Sequence, residues 1–214
     1  MSIFDNIRRA VQGDGEQPEG HERSHAHHHS ASTNQSLAET YAAALDAQRH
    51  EKDHYFAHDP YSPIPYDERD PFKGLNYYPA NLDYQFTLVL DRDEPDPVTF
   101  QTSTGDEQRY FRIGTVQFEV GEQPATLAIY ESADREDLFL PFRDATSGKE
   151  TYGAGRYLEP IALDEDNLLL DFNLAYNPYC AYSPDFSCPL PPIENWLKVP
   201  IRAGEKNYKE ESEY

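Results

Sequence analysis

The sequence is poor in basic residues. Lys and Arg number 18 against 39 Asp and Glu, a formal charge of −21 over 214 residues, and only six of the bases are Lys. Phosphate recognition needs a clustered Lys/Arg face, so a nucleic-acid partner is not expected. Long apolar runs are missing too. Nothing approaches the roughly 18 apolar residues of a membrane span, and the N-terminus lacks the apolar segment of a signal peptide. The expectation is a soluble, cytoplasmic chain with no membrane partner. Cysteine is nearly absent: Cys180 and Cys188 are the only two, which rules out a disulfide-rich scaffold and falls two ligands short of a thiolate zinc set. No histidine follows His58, so neither cysteine has a His base in its half of the chain. Neither G-x-G-x-x-G nor a P-loop occurs, and no βαβ alternation is present, which argues against a nucleotide-binding α/β fold.

What the chain does contain is acid spread evenly. Residues 61–214 hold 29 acids against 13 bases, so the charge belongs to the folded surface and not to one tail. Such a surface stays hydrated where salt screens ordinary ones, as in a halophile's cytoplasm.

Four regions follow from composition. Residues 1–35 read as a disordered leader rich in Gly, Glu, Ser and His, with too little to bury. Residues 36–57 read as a helix, with Ser36 as N-cap and Glu39 three residues on. Leu37, Tyr41, Leu45, Gln48, Lys52 and Tyr55 fall in one stripe at about 100° per residue. Residues 58–208 form a β domain behind a Pro- and Tyr-rich connector, and 209–214 an acidic tail. Within the helix, His50-Glu51-Lys52-Asp53-His54 matches the H-E-x-x-H zinc signature. On the helical wheel His50 and His54 point away from the apolar stripe into solvent, and no third His is available. No metal site is assigned to His50, Glu51 and His54 for that reason.

From Tyr84 the period becomes that of strands. Runs at 84–90, 98–102, 108–120, 125–130, 138–142, 150–161, 167–173 and 196–202 are separated by turn chemistry, with Asp91–Pro97 as one separator and Gly114 as a bulge. Strands at this spacing predict a mainly β fold: one antiparallel β-sandwich or closed β-barrel with an N-terminal α-helix packed against it.

The runs Phe139-Leu-Pro-Phe-Arg-Asp144, Tyr152-Gly-Ala-Gly-Arg156-Tyr-Leu, Asp171-Phe-Asn173-Leu-Ala-Tyr-Asn177-Pro-Tyr-Cys180, Cys188-Pro-Leu-Pro-Pro and Ala203-Gly-Glu-Lys206 resemble the family known as domain of unknown function 1684. Arg49 with Lys52-Asp53, Ser62-Pro-Ile64 and Phe72 with Gly74-Leu75 extend the resemblance over about residues 37–208. It implies no activity and no cofactor. It does imply that the polar residues in these runs share a site.

Polar groups embedded among apolar neighbours are the candidates for that site, because inward-pointing polar groups must be paired. Arg156 offers a bidentate fork for a carboxylate, either internal, from Asp144 or Asp171, or a ligand's. Asp171 and Asn173 lie two apart, on one face of a strand. Tyr152, Tyr176 and Asn177 complete the candidate ligand-binding set. The sequence Asp171-x-Asn173-x-Ala175-x-Asn177 starts like a calcium loop but has Tyr176 where Gly is needed and Tyr182 where the bidentate Glu belongs. Cys180 and Cys188, eight apart, are either a disulfide-capable pair or buried structural thiols. The expected function is binding of a small polar or anionic molecule. The alternatives are a metal- or carboxylate-dependent hydrolase and a structural or partner-binding role.

Overall fold

The computed structural model describes residues 29–134 and 137–209. The expectations for the leader before His29 and for the acidic tail after Lys209 fall outside the described residues. The chain divides into two units, one ending at Glu51 and one beginning at Lys52, and a single helix, α1 (His29–His58), runs through both. It starts before the predicted Ser36. No Gly or Pro between Ser30 and Gln35 forbids helix, and a cap preference of about 1 kcal/mol does not stop one. Ser36 instead accepts at its carbonyl from Thr40 Oγ1, 2.8 Å away. Leu45 is buried as expected, but Leu37 is exposed, and Phe56, outside the predicted stripe, is the most buried residue of the helix.

In the second unit a short helix α2 (Tyr66–Arg69) precedes eight strands. These are β1 (Gln85–Val89), β2 (Asp91–Gln101), β3 (Glu107–Val120), β4 (Gln123–Ser132), β5 (Leu138–Phe142), β6 (Arg156–Leu158), β7 (Ile161–Ala162) and β8 (Asn167–Asp171). They form two antiparallel sheets, β2-β3-β4-β5-β6 and β1-β8-β7. The sheets are not closed on each other, so the fold is a sandwich and not a barrel. Between them sits one core: Ile113, Val116 and Leu127 from the larger sheet meet Leu168 and Leu170 from the smaller and Phe172 from the turn after β8.

Three segments depart from the sequence reading. Asp91–Pro97, expected as a turn, is the exposed first half of β2. β2 is an edge strand, where Pro needs no ladder partner and charge blocks pairing with another chain. Of the long run 150–161, only Arg156–Leu158 and the start of β7 pair, because Thr146 and Thr151 close a compact turn by their hydroxyls at 2.8 Å. Residues 196–202 turn Val199 and Ile201 inward but bend at Lys198–Val199, and make no ladder beyond one bridge at Trp196. Gly114 does mark the expected irregularity, since the β3–β4 register shifts between Arg112 and Gly114.

The Pro-rich segment after Pro184 is bonded to β2 at Gln101 and β6 at Tyr157. It crosses the outer face of the larger sheet: Leu190 N donates to Gln101 O at 2.8 Å and Tyr157 Oη to Pro189 O at 2.6 Å. Fully buried Asn195 completes the crossing. Its side chain exchanges two bonds with the Ala128 backbone, at 2.8 and 2.9 Å, and donates also to Pro141 O. It bridges β4 to β5 where the two strands have parted. Among the described residues no helix is long and apolar enough to cross a membrane.

Candidate functional site

Arg156 and Asp144 do find each other. Arg156 Nη2 donates to Asp144 Oδ2 at 2.7 Å, and both side chains are almost completely inaccessible. Both terminal nitrogens serve the backbone: Nη2 donates to Ile201 O at 2.8 Å, and Nη1 to Ala203 O at 2.5 Å and Glu205 O at 3.0 Å, while Nε is buried without a partner. One planar fork thus takes three carbonyls from a segment that bends at Ala203–Gly204 and joins neither sheet. Asp144 is held in turn by Thr146, whose N and Oγ1 donate to Oδ1 at 2.6 and 2.5 Å. The expected fork is therefore present, but its acceptors are internal.

Asp171 and Asn173 are also brought together, in a different role. Asp171 ends β8 and caps the 3-10 turn Phe172–Leu174, accepting from Asn173 N at 3.0 Å and Asn173 Nδ2 at 2.9 Å. Asn173 clamps the backbone of Asn81 from both sides, at 2.9 and 2.8 Å. This pair fixes the loop before β1, and Gln85 Nε2 on β1 donates to Asp171 Oδ2 at 3.1 Å.

Tyr176 and Asn177 lead to a residue that the sequence reading passed over. Glu205 is 1% exposed. Its Oε2 accepts from Asn177 N at 2.9 Å and from Tyr182 Oη at 2.5 Å, while Oε1 is ion-paired with Lys52 Nζ. Burial first, and then the Glu205 charge, push the Tyr182 phenol well above its ordinary value. Lys52 lies on the last turns of α1, its ammonium 5.3 Å from the Phe56 ring centre and 5.2 Å from that of Tyr176. It is 28% exposed. Tyr176 Oη reaches out to Glu159 Oε1 at 2.8 Å. Asn177 Nδ2 donates to Lys206 O at 2.8 Å, but Asn177 Oδ1 is buried without a partner. Sequence did carry a signal for Glu205, since an isolated acid sits between Ala203-Gly204 and Lys206 in the motif quoted above. An i,i+n pattern cannot link it to Lys52, which lies 153 residues away.

Tyr152 leads to the thiols. Its hydroxyl donates to Cys180 O at 3.3 Å and sits 3.7 Å from Cys180 Sγ. Cys180 N donates to Cys188 Sγ at 3.4 Å, and both cysteines are free thiols, Cys180 half-buried and Cys188 buried. A hydrogen bond from Cys188, with further ones from Tyr152 and Ser103, outweighs burial and lowers the Cys180 thiol to about 6. The same contact, with burial, raises Cys188.

The H-E-x-x-H residues face solvent as the wheel predicts. His50 turns back on Asp46, with Nδ1 2.8 Å from its carbonyl oxygen, and His54 stacks on His58 at 4.4 Å. Glu51 is exposed. Among the described residues no three His, Cys, Asp or Glu side chains are grouped to hold a metal.

Comparison with known proteins agrees with the resemblance. No curated protein matches the chain. A similar structure is the solution NMR structure of an uncharacterized protein from Haloarcula marismortui, 41% identical, covering 80% of this chain and 96% of that one with a TM-score of 0.61. The family model described as "Protein of unknown function (DUF1684)" matches residues 70–206, a span that includes Asp144, Arg156, Asn177, both cysteines and Glu205. The chain belongs to the DUF1684 family.

Proposed function

We propose that the protein binds a small polar molecule at the Lys52–Asn177–Glu205 cluster. Unlike the inaccessible Arg156–Asp144 pair, this cluster has a charged group, Lys52, that is partly open to solvent. The observation that carries the reading is Asn177 Oδ1, a buried acceptor with no protein donor. Leaving such an atom unsatisfied costs about 1–3 kcal/mol, and an ordered water or a bound group supplies the missing hydrogen. Lys52 adds a cation that is partly open to solvent and directs only one of its three N–H groups at Glu205. The Phe56 and Tyr176 rings on either side supply apolar walls. The ligand class that fits is a small molecule carrying an N–H or O–H donor for Asn177 and a carbonyl, carboxylate or phosphate oxygen for Lys52.

The test is native mass spectrometry in volatile salt on protein purified without added ligand. It is followed by thermal-shift measurements with amino acids, hydroxy acids and sugar phosphates. Wild type is expected to retain a small-molecule adduct or to be stabilised by one of these classes. Asn177→Leu, close in shape but without the acceptor, is expected to lose either effect while keeping its far-UV spectrum. An adduct that survives Asn177→Leu, or no stabilisation by any class, overturns the reading and leaves a trapped water as the partner of Oδ1.

A further inference from the structure

We propose that Cys180 and Cys188 form a peroxide-oxidised dithiol, in which Cys180 is the attacking thiolate and Cys188 the thiol that closes a disulfide. Four observations lead there, and none depends on the ligand cluster above.

First, the fold brings the two residues together. The 3-10 turn Tyr179–Ala181 presents Cys180. The chain then returns and is tied down at Cys188 from both backbone sides: Ser103 N donates to Cys188 O at 2.8 Å, and Cys188 N to Ser103 Oγ at 3.1 Å. The Cys188 sulfur consequently rests 3.4 Å from the Cys180 backbone nitrogen. That nitrogen lies about 1.5 Å from its own Cα, so the two side chains are within the reach of a disulfide. Second, the two cysteines differ in access: Cys180 is half-buried and Cys188 buried. A small oxidant therefore meets Cys180 first. Third, donors surround Cys180 and not an apolar wall. The Tyr152 hydroxyl stands 3.7 Å from its sulfur, and hydrogen bonding, first from Cys188, holds its thiol below the ordinary value. These neutral donors hold a thiolate without a histidine, the residue this half of the chain lacks. Fourth, residues 183–187 between the cysteines make few ties to the sheets. Its ties are Ser103 Oγ to Phe186 O and the Ser187 hydroxyl bonds to Thr102, Thr104 and Asp106, and Pro184, Asp185 and Ser187 are exposed, with solvent and not core beside them.

The chemistry balances. The Cys180 thiolate attacks the terminal oxygen of a hydroperoxide; the S–O bond forms, the O–O bond breaks, and the other oxygen leaves as an alcohol, or as water from hydrogen peroxide, after taking a proton from solvent. Cys180 is oxidised by two electrons to the sulfenic acid and the peroxide is reduced. Cys188 sulfur then attacks Cys180 sulfur. The S–S bond forms, the S–O bond breaks, and hydroxide leaves with the Cys188 proton as water. A dithiol such as dithiothreitol returns both thiols by exchange.

The experiment uses the full chain, reduced and desalted, with an equimolar amount of hydrogen peroxide, read by intact mass and by thiol titration. Wild type is expected to lose the mass of two hydrogens without gaining oxygen, to lose both free thiols, and to recover with dithiothreitol. Cys188→Ser is expected to gain one oxygen at Cys180 that dimedone traps. Cys180→Ser is expected to react at least about ten-fold more slowly, as a thiol without thiolate character does. Oxygen adducts on wild-type Cys180 with Cys188 still alkylatable would overturn the proposal, as would disulfide formed only between chains or equal rates in wild type and Cys180→Ser.

Discussion

Arg156→Met is the perturbation that separates a strut from a ligand anchor. In the wild type the guanidinium neutralises Asp144 and donates to the carbonyls of Ile201, Ala203 and Glu205. Methionine matches the length of the stem but leaves one buried carboxylate and three carbonyl oxygens without their donor. Breaking a buried ion pair by removing one partner costs about 3–5 kcal/mol. Each orphaned carbonyl adds up to about 1–3 kcal/mol, less where water enters. Taking about 5 kcal/mol for the whole, a chain of this size loses roughly 10–20 °C in melting temperature. Domain stabilities are typically about 5–15 kcal/mol, so the variant is left with a small margin.

The assay is calorimetry or circular dichroism melting at two salt concentrations. Because the pair is buried, the loss should be the same at about 0.5 M and 3 M salt, where the Debye length is a few Å. Arg202→Met, which removes the exposed pair with Glu150, serves as the surface control and should melt close to wild type. Asp144→Asn keeps the shape and leaves the Arg156 charge buried without its counterion, so it should fall between the two. If Arg156→Met melts within about 2 °C of wild type, the energetic argument fails. The guanidinium would then not be what holds the Ile201–Glu205 segment, and a ligand role for Arg156 would return.

Two further outcomes follow from local geometry. Gly204 has φ +75°, and a Cβ there would lie 2.5 Å from Ala175 O and 2.7 Å from Phe172 O. Gly204→Ala should therefore destabilise by about 2–4 kcal/mol in denaturant titration, whereas Gly105→Ala, at φ +86° with nothing near, should lose only about 1–2 kcal/mol of backbone strain. Alkylation of Cys180 by iodoacetamide should rise with pH through a midpoint near 6, because the group is an acid whose proton leaves early and the reactive thiolate dominates above that pH. The midpoint should move up in Cys188→Ala or Tyr152→Phe, which remove hydrogen bonds that lower it. A Cys180 midpoint at the ordinary thiol value would remove that support.

Much of this molecule was legible in its residues. Alternation in 84–130 and turn chemistry between the runs already specified antiparallel strands, since a half-buried strand must place every second side chain inward. The wheel placed His50 and His54 in solvent, because three or four residues per turn set the face of a side chain whatever the helix later meets. Arg156 beside a carboxylate was expected for the same local reason: a charge set among apolar neighbours must be paired.

Non-local closure decided the rest. Sandwich or barrel depends on whether edge strands meet, and Asp91–Pro97 became a strand because the sheet gave it an edge position that tolerates proline and charge. The segment 196–205 joins no sheet and has only isolated bridges, at Trp196 and Glu205, while Arg156, far off in sequence, takes three of its carbonyls. Lys52 and Glu205, and the two thiols with Ser103, meet only once the chain has folded back. Sequence periodicity reports which way a side chain points. It holds no record of what arrives opposite, and in this protein the groups capable of chemistry are the ones defined by what arrives.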